Sequence, residues 1–299
     1  MARIKDIGEF GLIERFRKLI KTDASVVEAS GDDCAVLKLD KSNYQLFTCD
    51  MLIEDVDFTL KDDPYLIGRK AVAVSLSDIA ACAGQARYCV ISLGLPKDTP
   101  LKFADKLFKG MLDISRKYKV NLVGGDLSRS NKITIDVSML GRVEKKHLAL
   151  RSGALPNDII FMTGELGGSI SGKHLTFTPR LKEARFLARN FKINAMIDIS
   201  DGLAQDLRHI LDKSGVGAVI YADLIPLSKG TPGLSAALHS GEDFELLFTL
   251  PRREARKLLK RKLTGFSPIG EIMPKEYGFK LVDKKERLVN VAPQGFRHF

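Results

Sequence analysis

Aspartates recurring at the ends of apolar runs constrain this chain more than any other feature. Asp32-Asp33 follows Gly31, and Asp50 ends the run that holds Phe47 and Thr48. Asp78 sits in an Ala/Ser-rich stretch after Ser75 and Ser77. Asp126 follows Gly124-Gly125, while Asp198 and Asp201 bracket Ile199-Ser200 ahead of Gly202. A carboxylate beside an apolar strand is expensive to bury alone. Several of them converging would repel unless a cation lay between them. Mg²⁺ answers that need, because it takes oxygen ligands and bridges carboxylates to phosphates. Any single Gly-Asp or Asp-Gly pair is an ordinary turn. Together, in a chain with no His/Cys metal motif, they point to a shared Mg²⁺–phosphate site.

The segments between these sites read as strands and helices. Helical spacing predicts helices over 10–20, 66–83 (stopped by Gly84), 101–118, 181–191, 203–214 (stopped by Gly215) and 252–262. Short apolar runs predict strands over 34–39, 45–48, 87–95, 120–123, 159–162, 196–199, 218–221 and 244–250. Residues 133–143 alternate, with Ile133, Ile135 and Val137 against Thr134, Asp136 and Ser138. Turn-rich sequence after Lys145-Lys146-His147 marks a domain seam. The expectation is an N-terminal domain over 1–146 and a C-terminal domain over 147–299.

Composition removes several classes. At 299 residues, with 44% hydrophobic and 28% charged residues, the chain has a globular balance. Cys34, Cys49, Cys82 and Cys89 form no CxxC pair, which argues against a zinc ribbon or a disulfide scaffold. The first ten residues lack the apolar core of a signal peptide, and no uncharged apolar stretch is long enough to span a bilayer. A cytoplasmic setting without membrane partners is the expectation. The net charge of +10 raises nucleic acid as a partner. Yet there is no Trp, aromatics are 7%, and no basic stretch interleaved with aromatics is found. Residues 251–299 alone hold thirteen Lys+Arg against five Asp+Glu, so the surplus belongs mainly to the tail.

Three further features bear on chemistry. Gly167 to Lys173 has the GxxxxGK spacing of a P-loop, but His174 stands where Ser or Thr must ligate Mg²⁺. A glycine-rich turn whose N–H groups face an anion remains open there. Ser240-Gly241-Glu242-Asp243 places two acids ahead of a strand, which is either a site or a solvated loop. Arg151, beside Ser152-Gly153, is equally a phosphate clamp or a surface residue.

Taken together, these segments resemble the thiamine-monophosphate kinases. The matching stretches run in order through nearly the whole chain: GEFGLIERF (8–16), GDDCAVL (31–37), TCDMLIEDVDF (48–58), KAVAVSLSDIAA (70–81), LVGGD (122–126), LRSGALPND (150–158), TGELGGS (163–169), IDISDGLAQDL (197–207) and SGEDFELLFT (240–249). The resemblance implies the two-domain fold of the aminoimidazole ribonucleotide synthetase superfamily. In it, strands of an N-terminal α/β domain form a barrel with those of a partner subunit, a C-terminal α+β domain follows, and ATP binds between the domains. The implied magnesium ligands are Asp33, Asp50, Asp78, Asp126, Asp198 and Asp201, with Thr48 and Cys49 beside them. A thiol is a poor Mg²⁺ ligand, so Cys49 would serve only through its carbonyl. Gly125, Asp126, Arg151 and Ser200 fall on nucleotide-contacting positions, and Glu242 on a substrate-contacting one.

The implied reaction is in-line transfer of the ATP γ-phosphoryl to thiamine monophosphate by a homodimer, with several Mg²⁺ ions and with Asp126, Asp201 and Arg151 at the reacting phosphates. The chain departs from the family at two positions. Asp57 stands where the family often has a substrate-contacting His, and Pro293 where a Trp is expected, leaving Phe296 as the nearest aromatic. Both touch acceptor recognition, so another ATP-dependent enzyme of the superfamily is the first alternative. A basic nucleic-acid-binding protein is the second.

Overall fold

The structure, a computed structural model, describes residues 3–292 and Gly295. Pro293 and Phe296 lie outside the described residues. Helix α1 (Ile4–Arg17) opens the chain and is kinked at Gly8, whose φ is 64°. Six strands then form the first sheet: β1 (Val26–Glu28), β2 (Ala35–Lys38), β3 (Asn43–Ile53), β4 (Gln85–Leu95), β5 (Asn121–Arg129) and β6 (Thr134–Glu144). Their order is β1-β2-β3-β6-β4-β5, antiparallel except for the parallel β4–β5 pair. The sheet is open within one chain, with β1 and β5 at its edges.

One face of this sheet is covered by α2 (Pro64–Ala81) and α3 (Leu101–Tyr118). The start of α2 is set by Asp63, whose carboxylate accepts from Tyr65 N at 2.9 Å, and by Pro64 in the first turn. Small residues let α2 lie close to its neighbours. A Cβ at Gly68 would meet the Leu107 carbonyl, and one at Gly110 would meet that of Tyr65, so α2 and α3 cross backbone to backbone. Leu107, Met111 and Ile114 line the buried stripe of α3 at helical spacing. The alternation over 133–143 is realised in β6, where Ile135, Val137 and Met139 are fully buried against α2. Truncating Leu107 to Ala would cost about 2–5 kcal/mol.

Among the described residues nothing covers the other face. Register places Phe47, Leu140 and Tyr88 in one cross-strand row, and Met51, Asp136, Ser92 and Asp126 in another. Phe47, Met51, Tyr88 and Val90 are exposed on it.

The second sheet comprises β7 (Ile159–Thr163), β8 (Ala195–Asp198), β9 (Gly217–Tyr221), β10 (Leu246–Leu250), β11 (Phe266–Met273), β12 (Phe279–Val282) and β13 (Leu288–Asn290). Its order is β13-β12-β9-β11-β7-β10-β8. The helices here are α4 (Lys173–Thr176), α5 (Leu181–Asn190), α6 (Leu203–Ser214), α7 (Leu234–His239) and α8 (Arg252–Lys260). Alternation along β7 and β10 serves two cores. Phe161, Leu246 and Phe248 join the core that holds α2 and α5, while Ile160, Met162 and Leu247 join the one that holds α6. The first core therefore runs across the seam and fixes the two sheets together.

Two sequence expectations are revised. Strand β5 does not stop at Val123 but continues through Gly124-Gly125-Asp126 to Arg129, so Asp126 lies within a strand. Strand β10 begins at Leu246, because Phe244 takes a left-handed conformation (φ 51°) that no strand accommodates.

Candidate active site

Four elements bring carboxylates to one place. The turn after β1 carries Asp32 and Asp33, the covered face of β3 carries Thr48 and Asp50, α2 carries Asp78, and the end of β8 carries Asp198. Carboxylate oxygens of Asp33, Asp78 and Asp198 all lie within 4.8 Å of one another. Hydroxyls orient them. Ser75 Oγ donates to Asp50 Oδ2 at 2.8 Å, Ser77 Oγ to Asp198 Oδ2 at 2.5 Å, and Thr48 Oγ1 to Asp78. The serines that make α2 slim enough to pack on the sheet also hold the acids of the flanking strands.

Crowding these acids in a buried place disfavours their charge. Burial, and then the neighbouring Asp50, Asp198 and Asp33, hold Asp78 well above the usual carboxylate range. Asp198 is pushed up to about 8, first by burial and then by Asp33. Asp50 is pushed up to about 6 by burial. Asp32 reaches about 7 through burial and the adjacent Asp33. Among the described residues Asp33 Oδ2 is buried with no hydrogen-bond partner. An orphaned carboxylate oxygen at the meeting point of several crowded carboxyl groups fits a hard cation with oxygen ligands.

A cleft of about 1190 Å³ opens beside this cluster, lined by Phe10, Arg17, Gly31, Asp32, Arg151 and Ser200 among others. Arg151 crosses the seam to reach it. Its Nη2 donates to Asp33 Oδ1 at 2.7 Å, and its backbone N donates to Asp32 Oδ2 at 2.9 Å. Burial lowers the guanidinium pKa, but Asp33, Asp32 and Asp206 more than offset it and raise it overall. Among the described residues Arg151 Nε is buried without a partner.

Asp201 belongs to a second, adjoining group with Asp206 and His209, whose ligand atoms also lie within 4.8 Å of one another. Asp206 Oδ2 accepts from Asp201 N at 3.1 Å and Gly202 N at 3.0 Å, which fixes the Ser200–Gly202 turn at the start of α6. The His209 ring packs edge-on to Phe10 at 5.2 Å, and burial with Arg151 nearby lowers its pKa to about 4. Gly295 abuts this group, since a Cβ there would lie 2.7 Å from the Asp201 carbonyl. Sequence reasoning missed Asp206 as a site residue, although it lies within the IDISDGLAQDL stretch.

Asp126 is not brought to the cluster within one chain. It shares the uncovered face with Met51, while Asp50 projects from the covered one. Three strand spacings, about 14 Å, separate β5 from β3. Gly125 is on the covered face, against Ile91. Cys49 also stands on the uncovered face, at the rim of the cleft, and burial with Asp136 and Asp50 raises its thiol pKa.

Asp57 and Glu242 meet through a residue that the sequence did not single out. Lys70, fully buried in α2, donates to the Asp57 carbonyl at 2.7 Å and to Glu242 Oε1. The Asp57 carboxylate itself turns back to accept from Ile53 N at 2.7 Å. Glu242 has φ 55°, a strained conformation for a side-chain-bearing residue.

The near P-loop serves the protein's own acids. Lys173 Nζ donates to Glu165 O at 2.6 Å and Glu245 Oε1 at 3.1 Å. Gly167 N donates to Asp243 Oδ2 at 2.9 Å. Arg180 adds two 2.6 Å bonds to Glu245, which is buried. The loop's N–H group and its lysine are thus occupied by carboxylates.

Comparison with known proteins gives a consistent result. The N-terminal domain model of the AIR synthase related proteins matches residues 31–143, and the C-terminal domain model matches residues 143–281. The thiamine-monophosphate kinase of Buchnera aphidicola subsp. Acyrthosiphon pisum (strain APS) is 36% identical, covering 97% of this chain and 98% of its own. That of Aquifex aeolicus (strain VF5) is 32% identical, covering 99% and 100%. Among solved structures, AaThiL complexed with AMPPCP and TMP superposes with a TM-score of 0.88 at 30% identity, over 100% of this chain and 99% of that one. A HypE-HypF complex, at 19% identity and a TM-score of 0.75, shares the fold alone.

Proposed function

The chain belongs to the thiamine-monophosphate kinases of the AIR synthase related family, and from that premise we propose that it transfers the γ-phosphoryl group of ATP to thiamine monophosphate, giving thiamine diphosphate and ADP. The observation that carries this reading is the convergence of Asp33, Asp78 and Asp198 beside Arg151 at the mouth of a nucleotide-sized cleft.

The attacking phosphate oxygen is already anionic near neutral pH, so no general base is needed. The barrier is repulsion between two polyanions brought in line. Asp33, Asp50, Asp78 and Asp198 would hold Mg²⁺, with Thr48 fixing the Asp78 carboxylate, and the ion would supply charge neutralisation at the phosphates. Asp201 extends the acidic set, on a turn that Asp206 keeps in shape. Arg151 pairs with Asp33 and presents its remaining N–H to a phosphate, while Ser200 lines the nucleotide side. Positioning and preset electrostatics carry the rate.

Glu242 and the Asp57 segment belong to the acceptor side in this reading, as does Phe296. Gly125 and Asp126 act at the β5 edge of the first sheet, and Cys49 acts from β3 at the rim of the cleft. Its exposed Phe47, Met51, Tyr88 and Val90 form an apolar face of the kind a second copy covers. We take that face as the homodimer contact through which the sheet closes into a barrel, and as the place where Asp126 joins a complete site. We take the seam between the two domains at 146/147. Among the described residues no helix is long and apolar enough to cross a membrane, and a cytoplasmic enzyme is the reading adopted.

The test is a product assay with ATP, Mg²⁺ and thiamine monophosphate, with thiamine as the control acceptor. Formation of thiamine diphosphate and ADP in equal amounts is expected. ADP release only with some other phosphorylated acceptor would move the chain to a different member of the superfamily.

A further inference from the structure

The turn after α2 and the C-terminal end of α3 meet α5 in a groove away from the acidic cluster. Two adjoining hollows, of about 520 Å³ and 120 Å³, share Gly84, Gln85 and Arg185. The larger is of the size that small ligands fill. Both halves of the chain build the walls. The first half supplies Lys117 and Lys119 at the end of α3 and Arg142 near the end of β6. The second supplies Lys182, Arg185 and Arg189 from α5. No residue of the groove lines the large cleft beside Arg151. Asn43, on the groove, lies seven residues before Asp50 along β3, about 23 Å at strand spacing.

The charges of this groove are not balanced from within. Among the described residues, none of the six cations makes a side-chain hydrogen bond or an ion pair; Lys117 packs its Nζ over the Tyr118 ring, 5.5 Å from the centroid. Arg142 and Arg189 act on Asp40 and Glu144 through space alone. The two acids of the walls are already engaged. Glu144 pairs with Lys146 at 3.2 Å and His147 Nδ1 at 3.7 Å, and Glu183 with Arg180 at 3.4 Å. The ends of α2 and α3 add about −0.5 charge each, too little to offset six cations. The end of α3 gives a reason for Lys117 and Lys119 only. Lys182 stands in the first turn of α5, where the helix dipole disfavours a cation. A solvated face carries its charges on one element, whereas these converge from α3, β6 and α5. A concavity lined by one sign of charge focuses its field on a counter-ion.

We propose that this groove is a second anion site, separate from the nucleotide cleft, and that its ligand is a short linear polyphosphate, either inorganic or the phosphate chain of a nucleotide. Guanidinium groups give paired N–H donors to phosphate oxygens, and ammonium groups add point charge. A chain of phosphates meets several of these cations with one ligand. Bound there, it ties Lys119 and Arg142 of the first half to Lys182 and Arg185 of the second. Helix α5 shares its buried core with α2, the helix that carries Asp78, so the ligand braces the seam behind the acidic cluster. The inference does not rest on the kinase reading.

The test is calorimetric titration of the full chain with sodium tripolyphosphate in EDTA. With no divalent ion the acidic cluster repels a polyanion, so the signal reports the groove. Saturable one-to-one binding that weakens with salt is expected. Arg142→Ser combined with Arg185→Ser should raise Kd at least about tenfold, because charge-assisted hydrogen bonds are lost. Lys284→Ser combined with Lys285→Ser removes the same charge from an exposed turn between β12 and β13 and should change Kd by less than about twofold. If thermal melts show the groove double variant to be unfolded, Lys119→Ser and Lys182→Ser, at exposed positions, take its place, each raising Kd about threefold or more. ADP and pyrophosphate in the same buffer separate the two sources. Equal affinity assigns the inorganic chain and tighter ADP a nucleotide, and both uphold the site. Absence of saturable binding, or equal weakening in the groove and turn variants, overturns it. So does a single-stranded RNA that displaces tripolyphosphate and binds over about a hundredfold tighter, which would make the groove a nucleic-acid surface. Turnover is not read, so failure here leaves the kinase reading standing.

Discussion

Arg151 Nη2 and Asp33 Oδ1 meet at 2.7 Å and join the two halves of the chain at the acidic cluster. The Asp33 side chain is fully buried, so the pair is both a structural tie and the charge balance of the site. Replacing Arg151 by Met leaves a buried carboxylate uncompensated, which costs about 3 kcal/mol for a pair of this kind. The expected result is a lowered melting temperature together with a fall in kcat of about 100-fold or more. Arg151→Lys should recover stability better than turnover, since an ammonium cannot supply both a tie to Asp33 and a second planar N–H. Melting curves and ADP release on the same preparations check both statements.

The raised pKa values give a pH dependence with a definite sign. Asp50, Asp32 and Asp198 bind protons up to about 6, 7 and 8 in the folded protein, far above the ordinary aspartate value. The folded state therefore holds more protons than the unfolded one from about pH 4 to pH 8, and stability is lost as pH rises through that window. In chelator, the melting temperature should fall between pH 5 and pH 8. Mg²⁺ should restore it more at pH 8 than at pH 5, because ligation requires deprotonated carboxylates. A chelated protein that becomes more stable on going to pH 8 would contradict the site.

Asp78 and Asp126 should behave differently although the resemblance implies that both are metal ligands. Asp78→Asn should abolish both the Mg²⁺-induced rise in melting temperature and turnover, the latter by about 100-fold or more. Asp126→Asn should lose turnover to a similar degree yet keep the Mg²⁺-induced rise, because its side chain stands on the other face of the sheet. Equal loss of the metal effect in both variants would show that Asp126 reaches the ions directly.

The apolar face is open to a direct experiment. Phe47→Glu puts a charge at the end of the Phe47–Leu140–Tyr88 row without touching the buried core. If that row is a subunit contact, the variant should elute as a monomer while wild type elutes as a dimer. Its circular dichroism should be unchanged.

Lys173 invites a wrong mutation. Its P-loop-like spacing suggests that Lys173→Met would destroy ATP binding. Its actual partners, Glu245 and the Glu165 carbonyl, predict lower thermal stability with the KM for ATP within about twofold of wild type. An ATP KM raised by orders of magnitude would return the lysine to the nucleotide.

Much of the fold was legible because its signals are local. Period-two alternation over 133–143 became β6, and the low bulk of 66–83 became a helix pressed on a sheet. The acids at 33, 50, 78 and 198 were legible because a charge beside apolar sequence needs a partner wherever it lands. Lys70 was not legible, since a lysine in a helix is ordinarily a solvated one. Its burial follows from three acceptors supplied by residues 57, 174 and 242, which only folding brings together.

The sequence by itself determined where many of the strands and helices lie, where the acids fall along the chain and which family it joins, because periodicity, charge and motif order are properties of the string. The tertiary structure alone decided which way each acid points. In β4–β5 the pairing runs Cys89 with Leu122 and then Val90 with Gly124, so Val123 is an extra residue. Without that bulge Asp126 would pair with Leu93 and project toward the covered face. With it, Asp126 pairs with Ser92 and faces outward. A one-residue shift in register turns every later side chain of a strand to the opposite face, and register is set by the neighbouring strand, not by the strand's own sequence.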